Sequence, residues 1–149
     1  MKYNFIAIEG NIGAGKTTLA HLLSKQLNTR LILEEFADNP FLPKFYENKS
    51  QYAFPLELFF MAERYKQLKE LLQTKDIFHH TTIADYMFTK CLLFAKVNLA
   101  EDEFLLYQKF FDIMLPQLIA PDLLIYLHAP ITKLKENIKK RNRPYELSI

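Results

Sequence analysis

Apolar residues along this chain fall into short unbroken runs separated by longer stretches at helical spacing. Tyr3-Asn4-Phe5-Ile6-Ala7-Ile8 reads as a buried strand, and Thr17 to Leu27 as a helix with Leu19, Leu22, Leu23 and Leu27 on one face. Arg30-Leu31-Ile32-Leu33 is a second β-like run ending in Glu34-Glu35, followed by a loop with Asp38, Asn39, Pro40 and Pro43. Phe54 to Leu72 carries Phe59, Phe60, Leu68, Leu71 and Leu72 at helical spacing. Thr81-Thr82-Ile83-Ala84 predicts a third strand, stopping at Asp85. Residues 86–97 and 101–118 read as two helices, with Asn98 and Glu101 as a cap for the second and Pro116 disturbing its last turn. Leu123-Leu124-Ile125-Tyr126-Leu127 lies between Pro121 and Pro130 and reads as a fourth strand. Thr132 then caps a helix containing Leu134 and Ile138. Alternating elements with nearly continuous apolar strands predict an α/β fold, a three-layer sandwich with a central parallel sheet flanked by helices. Ligands of such sheets bind at the carboxyl ends of the strands. Here those ends are Gly10 to Lys16, Glu34-Glu35, Asp85 and the segment after Leu127.

Composition narrows this picture only a little. A chain of 149 residues with 13 Phe and 8 Tyr is long enough for one ring-rich domain spanning 1–149. A net charge of +2 gives no general attraction to nucleic acid or to a membrane. The single cysteine, Cys91, excludes an intrachain disulfide and suits a reducing compartment. The apolar start is broken at Glu9, too early for a signal peptide or a membrane span, so a cytoplasmic location is expected.

The chemistry is concentrated at the strand ends. Gly10-Asn11-Ile12-Gly13-Ala14-Gly15-Lys16-Thr17 is a complete G-x-x-x-x-G-K-[ST] phosphate-binding loop and holds all three glycines of the chain. Its backbone N–H groups can cradle phosphate oxygens, Lys16 can reach the β/γ-phosphates, and the Thr17 hydroxyl can hold Mg²⁺. The following helix presents its positive end to the same place. A nucleoside triphosphate is therefore the expected ligand. Glu34 could accept a proton from an attacking hydroxyl, and Asp85 could hold Mg²⁺ directly or through water. Lys139-Lys140-Arg141-Asn142-Arg143-Pro144-Tyr145-Glu146 gathers positive charge after a helix, as a lid over about 139–149 would need to stabilise a transferring phosphoryl group. Glu57 and Arg64 are seven residues apart, on nearly one helical face. They are too far apart for an i,i+4 pair, so each needs another partner.

Ile8 to Thr18, Glu34 with Asn39-Pro40, the region Tyr46 to Arg64, Asp85 and Arg141-x-Arg143-x-x-Glu146 together resemble the deoxynucleoside kinases of the deoxycytidine/deoxyguanosine/deoxyadenosine kinase group. The resemblance implies a P-loop NTPase-like fold and ATP-dependent phosphorylation of a 2′-deoxynucleoside at its 5′-hydroxyl, with Mg²⁺, in nucleotide salvage. By position, it gives Gly10 through Thr18 to the ATP phosphates and makes Glu34 the base. Lys16, Arg141 and Arg143 contact the phosphates, and Thr17 and Asp85 serve the metal. Tyr46 and Glu146 match the pair on the sugar 3′-hydroxyl, Glu57 and Arg64 the base-side groups, and Phe94 a ring to stack on the base. Departures are specific: Tyr86 stands where the family has an arginine, Glu35 where it has a proline, Glu57 for a glutamine and Cys91 for a common aspartate. Two adjacent acids leave Glu34 and Glu35 open as the base; the spacing to Asn39-Pro40 favours Glu34. A carboxylate at position 57 suits a purine, guanine slightly better than adenine. Relatives continue past the lid with another strand, helices and the adenine-binding loop, so this chain reads as C-terminally truncated. Relatives also imply a homodimer through the helices after Tyr86. The alternatives are a thymidylate-kinase-like nucleoside monophosphate kinase and a P-loop regulatory module with little turnover.

Overall fold

The computed structural model describes residues 2–34 and 38–146, apart from the side chains of Leu72, Gln73 and Tyr145. Glu35 therefore lies outside the described residues. Within them the chain forms two compact units, one of residues 2–34, 76–87 and 120–146, the other of 38–75 and 88–119.

The first unit is built on four parallel strands, β1 (Phe5–Gly10), β2 (Arg30–Ile32), β3 (Thr82–Ala84) and β4 (Leu123–Leu127), in the order β2-β3-β1-β4. Central β1 is buried from Phe5 to Ile8, which accounts for its unbroken apolar run: a strand covered on both faces has no reason to alternate. Edge strand β4 does alternate, exposing Leu124 and Tyr126. The Asp122 carboxylate anchors this pairing by accepting from the backbone N–H groups of Asn4 and Phe5 at 2.8 and 2.9 Å. Helix α1 (Lys16–Leu27) lays Leu19 and Leu23 on the core of Ile6, Ile8, Ala20 and Ile83. Leu22 and Leu27, expected on the same face, are exposed. At about 100° per residue they fall to either side of the Leu19–Leu23 line, and so small a sheet covers only a narrow stripe.

The second unit is helical. The segment read as a loop contains a short helix, α2 (Leu42–Glu47), which accepts Pro43 because its first turn needs no donor there. α3 (Lys49–Gln73) starts five residues before the expected Phe54. Asn48 caps it through its side chain, accepting from Gln51 N–H at 3.4 Å. Pro55 then lies inside the helix, and the buried cluster of Phe45, Ala53 and Leu56 compensates for the hydrogen bond it forfeits. α4 (Lys90–Asn98) starts four residues later than position 86, and the Met87 N–H ahead of it donates to the Glu9 carboxylate at 2.9 Å. α5 (Glu101–Met114) gives way to a 3₁₀ turn at Leu115–Gln117, where Pro116 lies, as expected. Its cap position is Ala100 with no side-chain bond; Asn98, expected to cap it, is engaged elsewhere. Phe88 stacks on Phe111 with ring centroids 5.0 Å apart and planes within 5°.

The last helix, α6 (Ile131–Arg141), belongs to the first unit and buries Leu134 and Ile138. Pro130 occupies its cap position, so Thr132 lies within the first turn and does not cap. Among the described residues no helix is long and apolar enough to cross a membrane.

Candidate active site

Strand β1 runs straight into the phosphate loop. Gly10 pairs with Leu127, and a Cβ at Gly10 would stand 2.6 Å from the Leu127 carbonyl oxygen, so only glycine lets the strands stay in register here. Gly13 has φ +82°, and a Cβ there would meet the Leu134 carbonyl at 2.9 Å and Ile138 Cγ1 at 3.2 Å. The loop is thus seated on the inner face of α6, and Asn137 Nδ2 donates to the Gly13 carbonyl at 2.7 Å. Ala14 N–H closes the turn on Asn11 O, and Lys16 Nζ reaches back to the carbonyls of Gly10 and Asn11 at 2.8 and 3.0 Å. Thr17 and Thr18 open α1, whose first N–H groups have no partner within the helix and point where an anion would bind.

Asp85, 3% exposed at the end of β3, joins this loop to the second strand. Its Oδ2 accepts from the Thr17 hydroxyl at 2.6 Å and its Oδ1 from the Glu34 backbone N–H at 2.7 Å. Thr17 and Glu34, both singled out in the sequence, are therefore held by one carboxylate, itself singled out. Glu9 makes a similar bridge: Oε2 accepts from Gly10 N–H at 3.3 Å and Oε1 from Met87 N–H, fixing the chain just after Tyr86. Tyr86 itself is fully buried.

Beyond α6, Arg141 grips Glu146 with two nitrogens, Nε at 3.0 Å and Nη2 at 2.7 Å from both oxygens. Arg143 Nη1 stands 3.5 Å from the same carboxylate. Asn142 ends the helix in a left-handed turn, φ 53°, which brings Glu146 round to face the arginines.

In the helical unit, Tyr46 packs edge-on against Phe45, centroids 5.3 Å apart, at the rim of the Phe45–Ala53–Leu56 core. Asn39 is structural there, its side chain bonding the backbone at Phe41 N–H and Leu56 O. Glu57 and Arg64 are both buried, 2% and 4% exposed, and each has a partner on α4. Asn98 Nδ2 donates to Glu57 Oε1 at 2.9 Å, and Arg64 Nη1 donates to Cys91 Sγ at 3.3 Å. The Arg64 guanidinium also lies 5.0 Å from the centre of the Phe60 ring. Burial pushes the Cys91 thiol up, so it stays neutral. Burial raises Tyr107 as well, and its hydroxyl lies beside Cys91, near the charges of Glu57 and Arg64. Phe94 is not a core ring: it is partly exposed, with Lys90 Nζ 5.8 Å from its centre.

Glu9, Asn98 and Asn137 were not anticipated as site residues. Glu9 carries a legible signal, an acid inside an otherwise apolar strand. Asn98 and Asn137 carry none, because the groups they bond lie 41 and 124 residues away.

A parallel sheet with a phosphate loop at the end of its first strand, acids at the ends of the next two and arginines beyond the last defines a P-loop phosphotransferase. The chain belongs to the deoxynucleoside kinase family, whose sequence model matches residues 6–149. It is 43% identical to deoxyguanosine kinase of Bacillus subtilis over 148 residues, covering 97% of this chain and 70% of the relative. It is 32% identical to the deoxyadenosine/deoxycytidine kinase of the same organism, covering 98% and 69%. In structure it is similar to deoxyadenosine kinase from M. mycoides, solved with the products dCMP and a flexible dCDP bound. The TM-score is 0.84 at 29% identity, with 97% of this chain and 74% of that chain covered. The chain thus spans about 70% of the length of these relatives. Kinases of this family take ATP as phosphate donor.

Proposed function

We propose that the chain transfers the γ-phosphoryl group of ATP to the 5′-hydroxyl of a purine 2′-deoxynucleoside. The observation that carries this reading is the Asp85 carboxylate bonded at once to Thr17 of the phosphate loop and to the backbone of Glu34. It places an acid on a fixed main-chain position beside the group that serves the donor phosphates. In the reaction Glu34 takes the 5′-hydroxyl proton, the freed oxygen attacks the γ-phosphorus, and the bond to the β-phosphate oxygen breaks as ADP leaves. The loop amides of residues 10–18 and Lys16 hold the phosphates. Arg141 and Arg143 stabilise the charge on the transferring group.

Thr17 and Asp85 present oxygen ligands 2.6 Å apart, a donor set that suits Mg²⁺. When bound, Mg²⁺ neutralises charge on the β- and γ-phosphates.

Glu146 and Tyr46 serve the sugar 3′-hydroxyl, and the Arg141 grip on Glu146 implies that the lid exchanges one anion for another as phosphates arrive. Glu57 and Arg64 read the base and Phe94 stacks on it; Tyr86, being buried, brings no cation to the 5′-oxygen. The names of the relatives, deoxyguanosine and deoxyadenosine kinases, support a purine. Exposed Leu93 and Val97 on α4, with Leu105, Leu106, Phe110 and Ile113 on α5, support a homodimer through these helices, checked by light scattering. A single buried cysteine accords with a cytoplasmic location.

The test is ADP formation from ATP with each of the four deoxynucleosides and each monophosphate. Turnover with deoxyguanosine or deoxyadenosine is expected. Turnover with monophosphates alone would point to a nucleotide kinase instead, and ADP release independent of any acceptor would leave a regulatory module.

A further inference from the structure

We propose that Glu9 is a positioning residue for phosphoryl transfer: from the opposite face of the sheet it holds the segment that carries Asp85 and so sets that carboxylate against Thr17. The role rests on the reading of Asp85 as a group that serves the transferring phosphate. The regular ladder stops just short of Asp85. The last residue of β3 to pair is Ala84, opposite Ala7 of β1 and Ile32 of β2. Asp85 follows in a bend. On the β2 side its N–H still donates to the Ile32 carbonyl at 3.1 Å. On the β1 side a side chain makes the tie: Glu9 Oε1 accepts from the Met87 N–H at 2.9 Å, two residues past Asp85.

Strand alternation puts the two acids on opposite faces. Ile8 and Ile83 pack in one core with Ala20 of α1. Asp85, two residues after Ile83, is directed to the same side and meets the Thr17 hydroxyl at 2.6 Å. Glu9 follows Ile8 and faces the other way, on the side of Ala7 and Ala84. On one face, then, a carboxylate crosses from β1 to the chain after β3. On the other, a carboxylate crosses from that chain to the first turn of α1. Residues 85–87 are clamped from both faces of the sheet.

Glu9 is half-buried at the end of a strand whose preceding residues are apolar. A carboxylate withdrawn from water there needs hydrogen-bond donors, and it takes main-chain ones. Besides Met87 N–H, its Oε2 accepts from Gly10 N–H at 3.3 Å, at the first residue of the phosphate loop. One side chain therefore refers the segment after Asp85 to the loop that receives the donor phosphates. The demand is for an acceptor in a fixed place, not for the charge of Glu9. A misplacement of about 1 Å at a reacting centre can cost about 10²-fold in rate, so slack in residues 85–87 should appear in kcat.

The experiment compares the full chain with Glu9→Leu, Glu9→Gln, Asp85→Ala and the pair Glu9→Leu/Asp85→Ala, urea unfolding confirming that each folds. Leucine keeps the bulk and removes the acceptor. Glutamine keeps an acceptor for Met87 N–H and removes the charge. In Glu9→Leu, kcat with deoxyguanosine should fall about 10–100-fold while the deoxyguanosine KM stays within about twofold, because the change acts at the phosphates. Glu9→Gln should keep kcat within about threefold of the parent. With Asp85→Ala no carboxylate is left to position, so adding Glu9→Leu should cost less than about twofold more. Calorimetric titration with ADP, in Mg²⁺ and in EDTA, reads the same placement without turnover. The affinity gained from Mg²⁺ should drop about 5–10-fold in Glu9→Leu and hold in Glu9→Gln. An unchanged kcat in folded Glu9→Leu would mark a merely structural tie and overturn the inference. So would a loss in Glu9→Gln equal to that in Glu9→Leu, or the full loss repeated on top of Asp85→Ala. If the double variant does not fold, the glutamine rescue and the titrations decide. A parent that turns over no deoxynucleoside would remove the proposed function, and the titrations would still decide the role of Glu9.

Discussion

Replacing Asp85 with asparagine separates the chemical work of that carboxylate from its structural work. The side chain is buried and carries two short hydrogen bonds, one to the Thr17 hydroxyl at 2.6 Å and one to the Glu34 N–H at 2.7 Å. Bonds to a charged group contribute about 1.5–3 kcal/mol each. Asp85→Ala removes both, and Thr17 is exposed enough to find water, so a net loss of about 2–4 kcal/mol of stability is expected. Asp85→Asn keeps the shape. Its carbonyl oxygen can still accept from Glu34 N–H, and the Thr17 hydroxyl can rotate to accept from the new amide, so the stability cost should be only about 1 kcal/mol. Turnover should respond in the opposite proportion. The negative charge beside Thr17 is gone, and an electrostatic contribution of about 3–4 kcal/mol at a phosphoryl-transfer site is about 10²–10³ in rate. Urea unfolding and coupled ADP release, run on both variants, measure the two losses independently. If Asp85→Asn kept kcat/KM within about threefold of the parent, Asp85 would be a structural tie alone and the observation behind the proposed function would lose its force.

The remaining expectations concern the supports of the site. Asn137→Ala removes the bond to the Gly13 carbonyl while leaving the arginines in place, so the KM for ATP should rise about 3–10-fold with the nucleoside KM unchanged; equal changes in both would refute a role confined to the phosphate loop. Phe111→Ala deletes a buried ring stacked on Phe88 and should cost about 3–5 kcal/mol in urea unfolding, a value under about 1.5 arguing that the stack is not part of the core. Burial raises both Cys91 and Tyr107, so the folded state binds their protons more tightly than the unfolded chain does. Their contribution to stability is full below the free-thiol pKa of about 8.5 and declines as pH rises above it. The urea midpoint should therefore drop between about pH 8 and 10, and Cys91→Ala should flatten that drop; an identical slope in the variant would show that the thiol is not responsible.

The phosphate loop was legible because its chemistry is contiguous: glycines, lysine and threonine act within eight positions, between a strand and a helix whose periodicities show on their own. Glu34 and Asp85 were legible for a related reason, since a strand end is a position that a sequence can reveal. Local balance misled where tertiary bonds outweighed propensity. The apolar spacing placed a helix from Phe54, yet Asn48 and the Phe45 cluster start α3 five residues earlier. Asn98 has the composition of a cap, yet a buried carboxylate competes for its amide more strongly than the exposed start of α5 does.

The bonds that escaped the sequence share one physical property. Asn137 donates to the Gly13 carbonyl, Glu9 accepts from the Gly10 and Met87 N–H groups, and Asp85 accepts from the Glu34 N–H. Each holds a functional residue by its main chain, which every residue type possesses, so the partner's identity leaves no trace in the pattern. The consequence is mechanical. Substituting the Glu34 side chain removes the proposed base but leaves its backbone anchored, whereas Asp85→Ala leaves the base intact and releases the position from which it acts. Glu34→Gln should accordingly abolish turnover and preserve the melting behaviour. A rate loss in Asp85→Ala beyond that in Asp85→Asn, with Glu34 untouched, would then be the signature of placement rather than of proton transfer.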